Sequence, residues 1–543
     1  MSARETRSGT APRHRPGAAP RAGARVDARQ DGAPAAGTPE ALEVLDLRLL
    51  PVAVGCWSGA ALGVAGGPTV ARWIGTAAVV VVLVLVVAPR CRRPRRPGHR
   101  VSATVALAVV VLALALLDAS AQRALRTGGL LGTALREGAT ATVTGRVVDP
   151  PVPMDARWSD GEPDRRYTVS VRWVESRGRR SGAAASVVVV APGDAPPGSI
   201  VRVTGRLTPS DVTDSTVATL TARSAAQLVA PPAWPDRAAE RVRAATRGIA
   251  QRLPADAGAL LVGMALGDGS RVPDDLSEAM RTAGLTHLIA VSGSHFALIG
   301  AIAAAAAAAC RLPVTLRAGV VLLTGAGLLV LVGPQPSVLR AAVTGVVGLL
   351  GLLSGRPARA PAALATTVTA LLLTDPWLAF QIGFALSVVA TAAIVVLGGA
   401  WVRMWSPRLG RPLAAAVAAP LAAQLACAPV LLVLRPSVGT YALLANLAAA
   451  PAVPPATVLG LLTAVVAPWS PHGALVLAQL AGAACWWVAA VARVAAAAPG
   501  AQLAWAPGAG GIVAMAGVSA AVGALVLSAR RRRHRRAPPR VRA

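Results

Sequence analysis

Between residues 284 and 528 the chain passes through one stretch after another of about twenty apolar residues, separated only by short loops. At 1.5 Å of rise per residue such a stretch matches the ~30 Å hydrocarbon layer of a bilayer. Lipid cannot hydrogen-bond a bare backbone, so these stretches must be helices. Nine spans are expected: 284–309, 314–332, 335–354, 360–374, 377–399, 413–434, 440–467, 474–497 and 507–528, the 440–467 segment being either one span or a broken pair. Ahead of them, 49–65 and 70–88 read as a hydrophobic hairpin and 101–117 as a third span. The fold class expected is a polytopic α-helical membrane protein of about 12 transmembrane helices. A chain that is 54% hydrophobic with a mean hydropathy of +0.56 fits no soluble class.

Charge sets the direction. The net charge is +29, and all 54 basic residues are Arg. Clusters beside spans are topology signals first. The run RCRRPRRPGHR (90–100), the arginines at 311, 317, 356, 359, 403, 408 and 411, and the closing RRRRHRR all fall on one side if residues 118–234 lie outside. The protein is therefore expected in the cell (inner) membrane with both termini cytoplasmic. Arg435 and Arg493 fall on the outer side. The five cysteines show neither a CxxC motif nor zinc-ligand spacing, so no disulfide framework or metal site is read.

The remaining segments differ in composition. Residues 1–47 form an Arg-, Ala-, Gly- and Pro-rich tail that cannot bury a core, and 530–543 form a second basic tail. Residues 48–117 make the amino-terminal membrane region, and 256–529 the main membrane core. Within 118–234 the pattern alternates with period two over 140–149, 166–175, 184–191, 199–208 and 218–229. Five short strands suit a small all-β, OB-like barrel. In the second strand Tyr167, Val169, Val171 and Trp173 are expected on one inward face, with Arg172 opposite. Between 118 and 252 there are 19 Arg and 13 acidic residues, only a mild basic excess. Residues 235–255 read as a basic amphipathic interfacial helix, and 257–267 as a re-entrant or surface segment, since it is too short to span.

Polar residues inside apolar spans are the candidate site. In GLTHLIAVSGSHFALIG (284–300), His287, Ser294 and His295 share a stripe with Gly284 and Val291, and Ser292-Gly293-Ser294 invites a helix break. Non-helical backbone at membrane depth is tolerated where it is buried in protein or lines a wet cavity. The stretch is thus either a pore seam or structural hydrogen-bonding glue between helices. Further candidates are Arg340, Gln381, Gln424 and Asn446, because ionisable and amide groups in spans cost free energy that function commonly justifies. Arg340 either lines the path or forms an intramembrane pair with Asp375. No nucleophile elbow, HExxH or P-loop occurs, so neither a catalytic site nor a cofactor is expected.

Five runs, LVGMALGDGS (261–270), TAGLTHLIAVSGSHF (282–296), GPQPSVLRAAVTG (333–345), the run from Arg356 to Ile394, and LAAQLACAPVLLVLRPSVGTYALLANLAAAP (421–451), together resemble the ComEC-type competence proteins. The resemblance extends over most of 49–529. It implies an inner-membrane channel that carries single-stranded DNA into the cytoplasm during natural transformation, and not an enzyme. The path would be lined by His287, Ser292, Gly293, Ser294, His295, Arg340, Gln381, Gln424 and Asn446. The implied partners are single-stranded DNA, the lipid bilayer, a competence DNA receptor, a separate nuclease and a cytoplasmic ATP-driven motor. The sequence departs from the family at Ser294, where SGLH is common, in having no metallo-β-lactamase-like ligand cluster after the last span, and in lacking cysteines in the external domain. A small-solute or lipid transporter built on the same core is the alternative.

Overall fold

The computed structural model describes residues 47–67, 73, 75–77, 99–154, 164–289, 291–333, 335–354 and 360–534. The amino-terminal tail, most of the span expected over 70–88, nearly all of the 90–100 cluster, the 356 and 359 arginines and most of the final basic tail lie outside them.

Helix α1 (Leu50–Ala65) packs along α2 (His99–Thr127). Gly55, Gly59 and Gly63 recur every fourth residue, and a Cβ on any of them would meet an α2 carbonyl oxygen within 2.7 Å. This small-residue seam lets two helix backbones touch, which in lipid replaces hydrophobic burial as the source of cohesion.

Helix α3 (Gly129–Glu137) leads into a closed barrel. Its strands are β1 (Thr140–Val147), β2 (Val152–Pro153), β3 (Asp164–Ser176), β4 (Arg179–Pro192), β5 (Ile200–Pro209), β6 (Ala218–Thr221) and β7 (Gln227–Ala230). The ring runs β1-β3-β4-β6-β5 and closes through β1–β5, with β4 and β6 parallel and every other neighbour antiparallel. Inward valines, Leu207 and Leu220 fill it, and Leu131 and Leu135 of α3 join the same core. The segment expected as one strand over 218–229 is two, β6 and β7, both paired to β5.

The expectation for Trp173 is overturned. Tyr167, Val169 and Val171 are buried, but Trp173 is 45% exposed and Val174 takes the inward place. Thr144 pairs with Trp173 and Gly145 with Val171, so Arg172 is an extra residue in β3. One extra residue reverses the in-out alternation beyond it. Gly145 permits the close approach, since a Cβ there would lie 2.2 Å from the Ser170 carbonyl oxygen.

The barrel hands over to α4 (Trp234–Ala250), whose Val242, Ala245 and Ile249 pack on the helical core as the amphipathic stripe requires. Next comes α5 (Ala255–Leu266), and of the two expectations, re-entrant or surface, the surface one fails: nine of the twelve residues of this short helix are buried. At 12 residues it cannot cross a bilayer, so it lies enclosed among longer helices. Helix α6 (Asp274–Thr282) and a 3-10 turn, Thr286–Leu288, precede α7 (Gly293–Ala309), α8 (Val314–Val332) and α9 (Pro336–Leu353).

After α10 (Ala360–Thr374) comes a 3-10 turn, Pro376–Phe380, then α11 (Ile382–Ala393), which continues through a π-turn into α12 (Gly399–Leu409). Arg403 and Arg408, expected in a loop, are therefore helical. Helix α13 (Arg411–Leu431) follows. The 440–467 segment is broken, as one of the two readings had it, into α14 (Ala442–Ala449), a 3-10 turn and α15 (Val453–Val466). Helices α16 (Pro471–Ala497) and α17 (Gly508–His534) end the fold, and short strands β8 (Ser437–Gly439) and β9 (Gln502–Ala504) pair between them and α13. Along α16, Ala474, Ala478, Ala481 and Cys485 are fully buried against α5 and α15, a second small-residue seam.

Among the described residues nine helices are long and apolar enough to cross a membrane. The 16-residue α1 and the 15-residue α10, both expected as spans, are short of that length. The protein is a membrane protein with one small sheet domain near its amino-terminal end.

Candidate functional site

The helix break expected at Ser292-Gly293-Ser294 is real, and its geometry follows from its residues. Ser292 is the N-cap of α7, a position that favours Ser because a short polar side chain can replace missing helical partners. His295, three residues on, turns back so that the Ser292 N–H donates to its Nδ1 at 3.0 Å. It thereby does the work that Glu or Gln does in a capping box. A ring nitrogen that accepts carries no proton, so the proton of neutral His295 sits on Nε2. His295 is 2% exposed, and that Nε2 has no partner among the described residues. The Ser292 and Ser294 hydroxyls lie 2.7 Å apart.

Helix α9 begins beside this break, with the Ser337 hydroxyl donating to the Val291 carbonyl at 3.3 Å. One turn later Arg340, 7% exposed, extends to the start of α7. Its Nε donates to the Ser387 hydroxyl of α11 at 2.7 Å. Its Nη2 lies 2.9 Å from where a Cβ on Gly293 would be, so the guanidinium occupies space that only Gly leaves open. Among the described residues no carboxylate lies within ion-pair distance of Arg340, and its terminal nitrogens have no acceptor. Burying an arginine inside a membrane core costs free energy even before a partner is denied it.

The expected pair with Asp375 is not formed. Asp375 caps the 3-10 turn after α10, accepting from the Trp377 N–H at 3.2 Å, and stands 3.7 Å from Arg126 of α2. Arg126 also stacks over the Trp377 ring at 3.5 Å, and the Trp377 indole N–H donates to the Val212 carbonyl of the barrel at 3.1 Å. Asp375 is thus committed to docking the barrel on the membrane core, a role invisible in the sequence because Arg126 is about 250 residues away from it.

The other candidates separate. Asn446 donates to the carbonyls of Gly284 and Ala442, so it braces the turn ahead of the break. His287 is exposed on the 3-10 turn. Gln381 precedes α11; among the described residues the buried Oε1 of Gln424 on α13 has no partner, and neither glutamine hydrogen-bonds to the Arg340 cluster. Ser387 was missed, since a single Ser in an apolar helix reads as a group bonded to its own backbone.

The family profile described as Competence protein matches residues 264–530, which contain the break, Arg340 and Ser387. ComE operon protein 3 of Bacillus subtilis (strain 168) is 33% identical over 146 residues, an alignment covering 26% of this chain and 19% of that protein. The chain thus aligns with about a fifth of its relative's length. No solved structure matches.

Proposed function

The chain belongs to the ComEC-type competence proteins, and from that premise we propose that it is the inner-membrane channel through which a single strand of DNA enters the cytoplasm. The observation that carries this reading is Arg340: a buried cation with no carboxylate partner among the described residues, held at an interrupted helix inside the matched region. A polyanion crossing a low-dielectric core needs its lost hydration replaced by fixed donors. Indifference to base sequence requires that those donors meet phosphates. His287, Ser292, Ser294, His295 and Arg340 supply donors along the break, and Gln381 and Gln424 extend the path.

In this reading the barrel is an OB-like domain on the outer side, supported by its closed strand ring with one parallel pair. Both chain termini are cytoplasmic, a DNA receptor delivers the strand from outside, and a cytoplasmic ATP-driven motor draws it in. The chain itself makes and breaks no bonds.

The test is deletion of the gene in a transformable host, followed by assay of fluorescent duplex DNA. The account expects DNA to accumulate outside the membrane with no labelled strand in the cytoplasm, and uptake to return with the wild-type gene. Normal cytoplasmic uptake in the deletion strain would overturn the reading.

A further inference from the structure

We infer that the first turn of α7 and the Arg340 guanidinium form a seat for one phosphodiester group of the strand. This rests on the channel reading and deepens it by naming where one phosphate sits and what holds it.

The argument begins from an electrostatic mismatch. A helix start carries a partial positive charge, because its first N–H groups point outward without helical acceptors. Such a start favours an anion and disfavours a cation. Here Arg340 is pressed against the first residue of α7, with Nη2 at 2.9 Å from the missing Cβ of Gly293. Arg340 lies within the second turn of α9, and the start of that helix is tied to Val291 by Ser337, so two helix starts and a guanidinium converge. Every one of these groups is positive. Within the described residues no carboxylate reaches Arg340 to neutralise it.

The unpartnered groups are donors as well as positive charges. Among the described residues the terminal nitrogens of Arg340 lack acceptors, and the Nε2–H of His295 in the first turn of α7 lacks one. A buried donor left alone is costly, and among these groups the fully enclosed one is His295 Nε2. A ligand that is anionic and offers oxygens in a fork answers the guanidinium and the helix start together. Phosphate oxygens meet a guanidinium in that way, and helix starts that face an interior cavity bind anionic groups in membrane transporters.

Two further residues shape the seat. Ser387 holds Nε and leaves the terminal nitrogens free to face the helix start. Gly293 must lack a side chain, since a methyl group would push the guanidinium away without touching any backbone of α9. The shared chemistry of a phosphodiester monoanion also belongs to phospholipid headgroups. A polynucleotide is favoured because the seat lies inside the region matched to the competence family.

The test uses the full chain in phosphatidylcholine nanodiscs and a fluorescent five-nucleotide thymidine strand, titrated over a range of salt. For single strands each phosphate contact contributes about 0.7 to the slope of log affinity against log salt. Arg340→Gln is expected to weaken binding about tenfold or more and to lower that slope by about 0.7, and Gly293→Ala to do the same while keeping every charge. Unchanged slopes in both variants would overturn the seat. If Arg340→Gln instead reduces only the phosphatidylglycerol that co-purifies with the protein, the seat belongs to a lipid and the proposal fails. Either failure leaves the deletion assay of uptake standing, so the two readings fail separately.

Discussion

The barrel and the helical core use arginine in opposite ways. In and around the barrel, Arg146 meets Asp236 at 2.7 Å, Arg177 meets Glu137 at 2.9 Å, Arg180 meets Glu175 at 3.3 Å, and Arg165 meets Asp194 at 3.5 Å. All are at least a third exposed and paired within the chain. At one end of the core, Arg493 of α16 grips Asp256 of α5 through two nitrogens and Asp275 of α6 through one, each within 3.0 Å. Arg340 alone among these is both buried and without a carboxylate. Charges that close on the chain hold the fold, whereas the one left open is available to something that is not part of the chain.

The two regions also use glycine differently, and this gives the largest expected effect. At Gly145 a Cβ would meet backbone 2.2 Å away, and at Gly293 it would meet the end of a flexible side chain. Gly145→Val should therefore separate β1 from β3 and cost several kcal/mol, at or above the ~1–3 kcal/mol of ordinary overpacking. Gly293→Ala should leave folding near wild type. Limited proteolysis of both variants in membranes checks this: comparable sensitivity would break the contrast.

A core truncation in the barrel comes next. Leu220 is fully buried, and Leu220→Ala should cost about 2–5 kcal/mol. The same change at a lipid-facing leucine such as Leu323, 75% exposed, should cost far less, because its methyl groups already contact lipid. Equal losses on chemical denaturation would show that α8 is packed on both faces.

Between the regions, Trp377→Phe deletes the indole bond to Val212 while keeping the ring under Arg126. A net cost of about 1 kcal/mol is expected. It should appear as faster hydrogen exchange in the barrel loop at 210–217, and unchanged exchange there would remove the docking role.

The smallest effect concerns pH. The hydrogen bond from Arg493 holds the Asp275 carboxyl below its ordinary value of 3.8. A carboxyl depressed by folding contributes stability above that value and loses it as pH falls through the folded-state pKa. Thermal scans should therefore show a slight loss of stability below about pH 4 that Asp275→Asn abolishes. The pair is exposed and screened, so the change is small.

Much of this was legible from residues. Span positions such as 314–332 follow from hydropathy alone, and the Ser292-Gly293-Ser294 break from polar residues that could not sit quietly in lipid. What escaped depends on count and distance. Trp173 faces out because one inserted residue, Arg172, reversed the alternation, and no pattern of period two signals its own interruption. Helix α5 reads from its length as a re-entrant or surface piece, although protein can enclose a short helix as readily as water can expose one. The alternative that pairs Asp375 with Arg340 takes the nearest intramembrane arginine in sequence, whereas its partner Arg126 lies beyond the barrel. Ser387 carries no signal in the sequence, because its role comes from Arg340, 47 residues away.

The central claim is that Arg340 is held for a ligand and Arg493 for the fold. Melting temperatures of Arg340→Gln and Arg493→Gln, measured in the same detergent without DNA, test it most directly. Removing a buried charge that has no carboxylate should leave stability unchanged or raise it, and releasing a clamp that joins three helices should lower it. The account therefore expects Arg340→Gln to melt at or above wild type and Arg493→Gln below it. If Arg340→Gln melts as far below wild type as Arg493→Gln, the guanidinium is a structural member and the claim is contradicted.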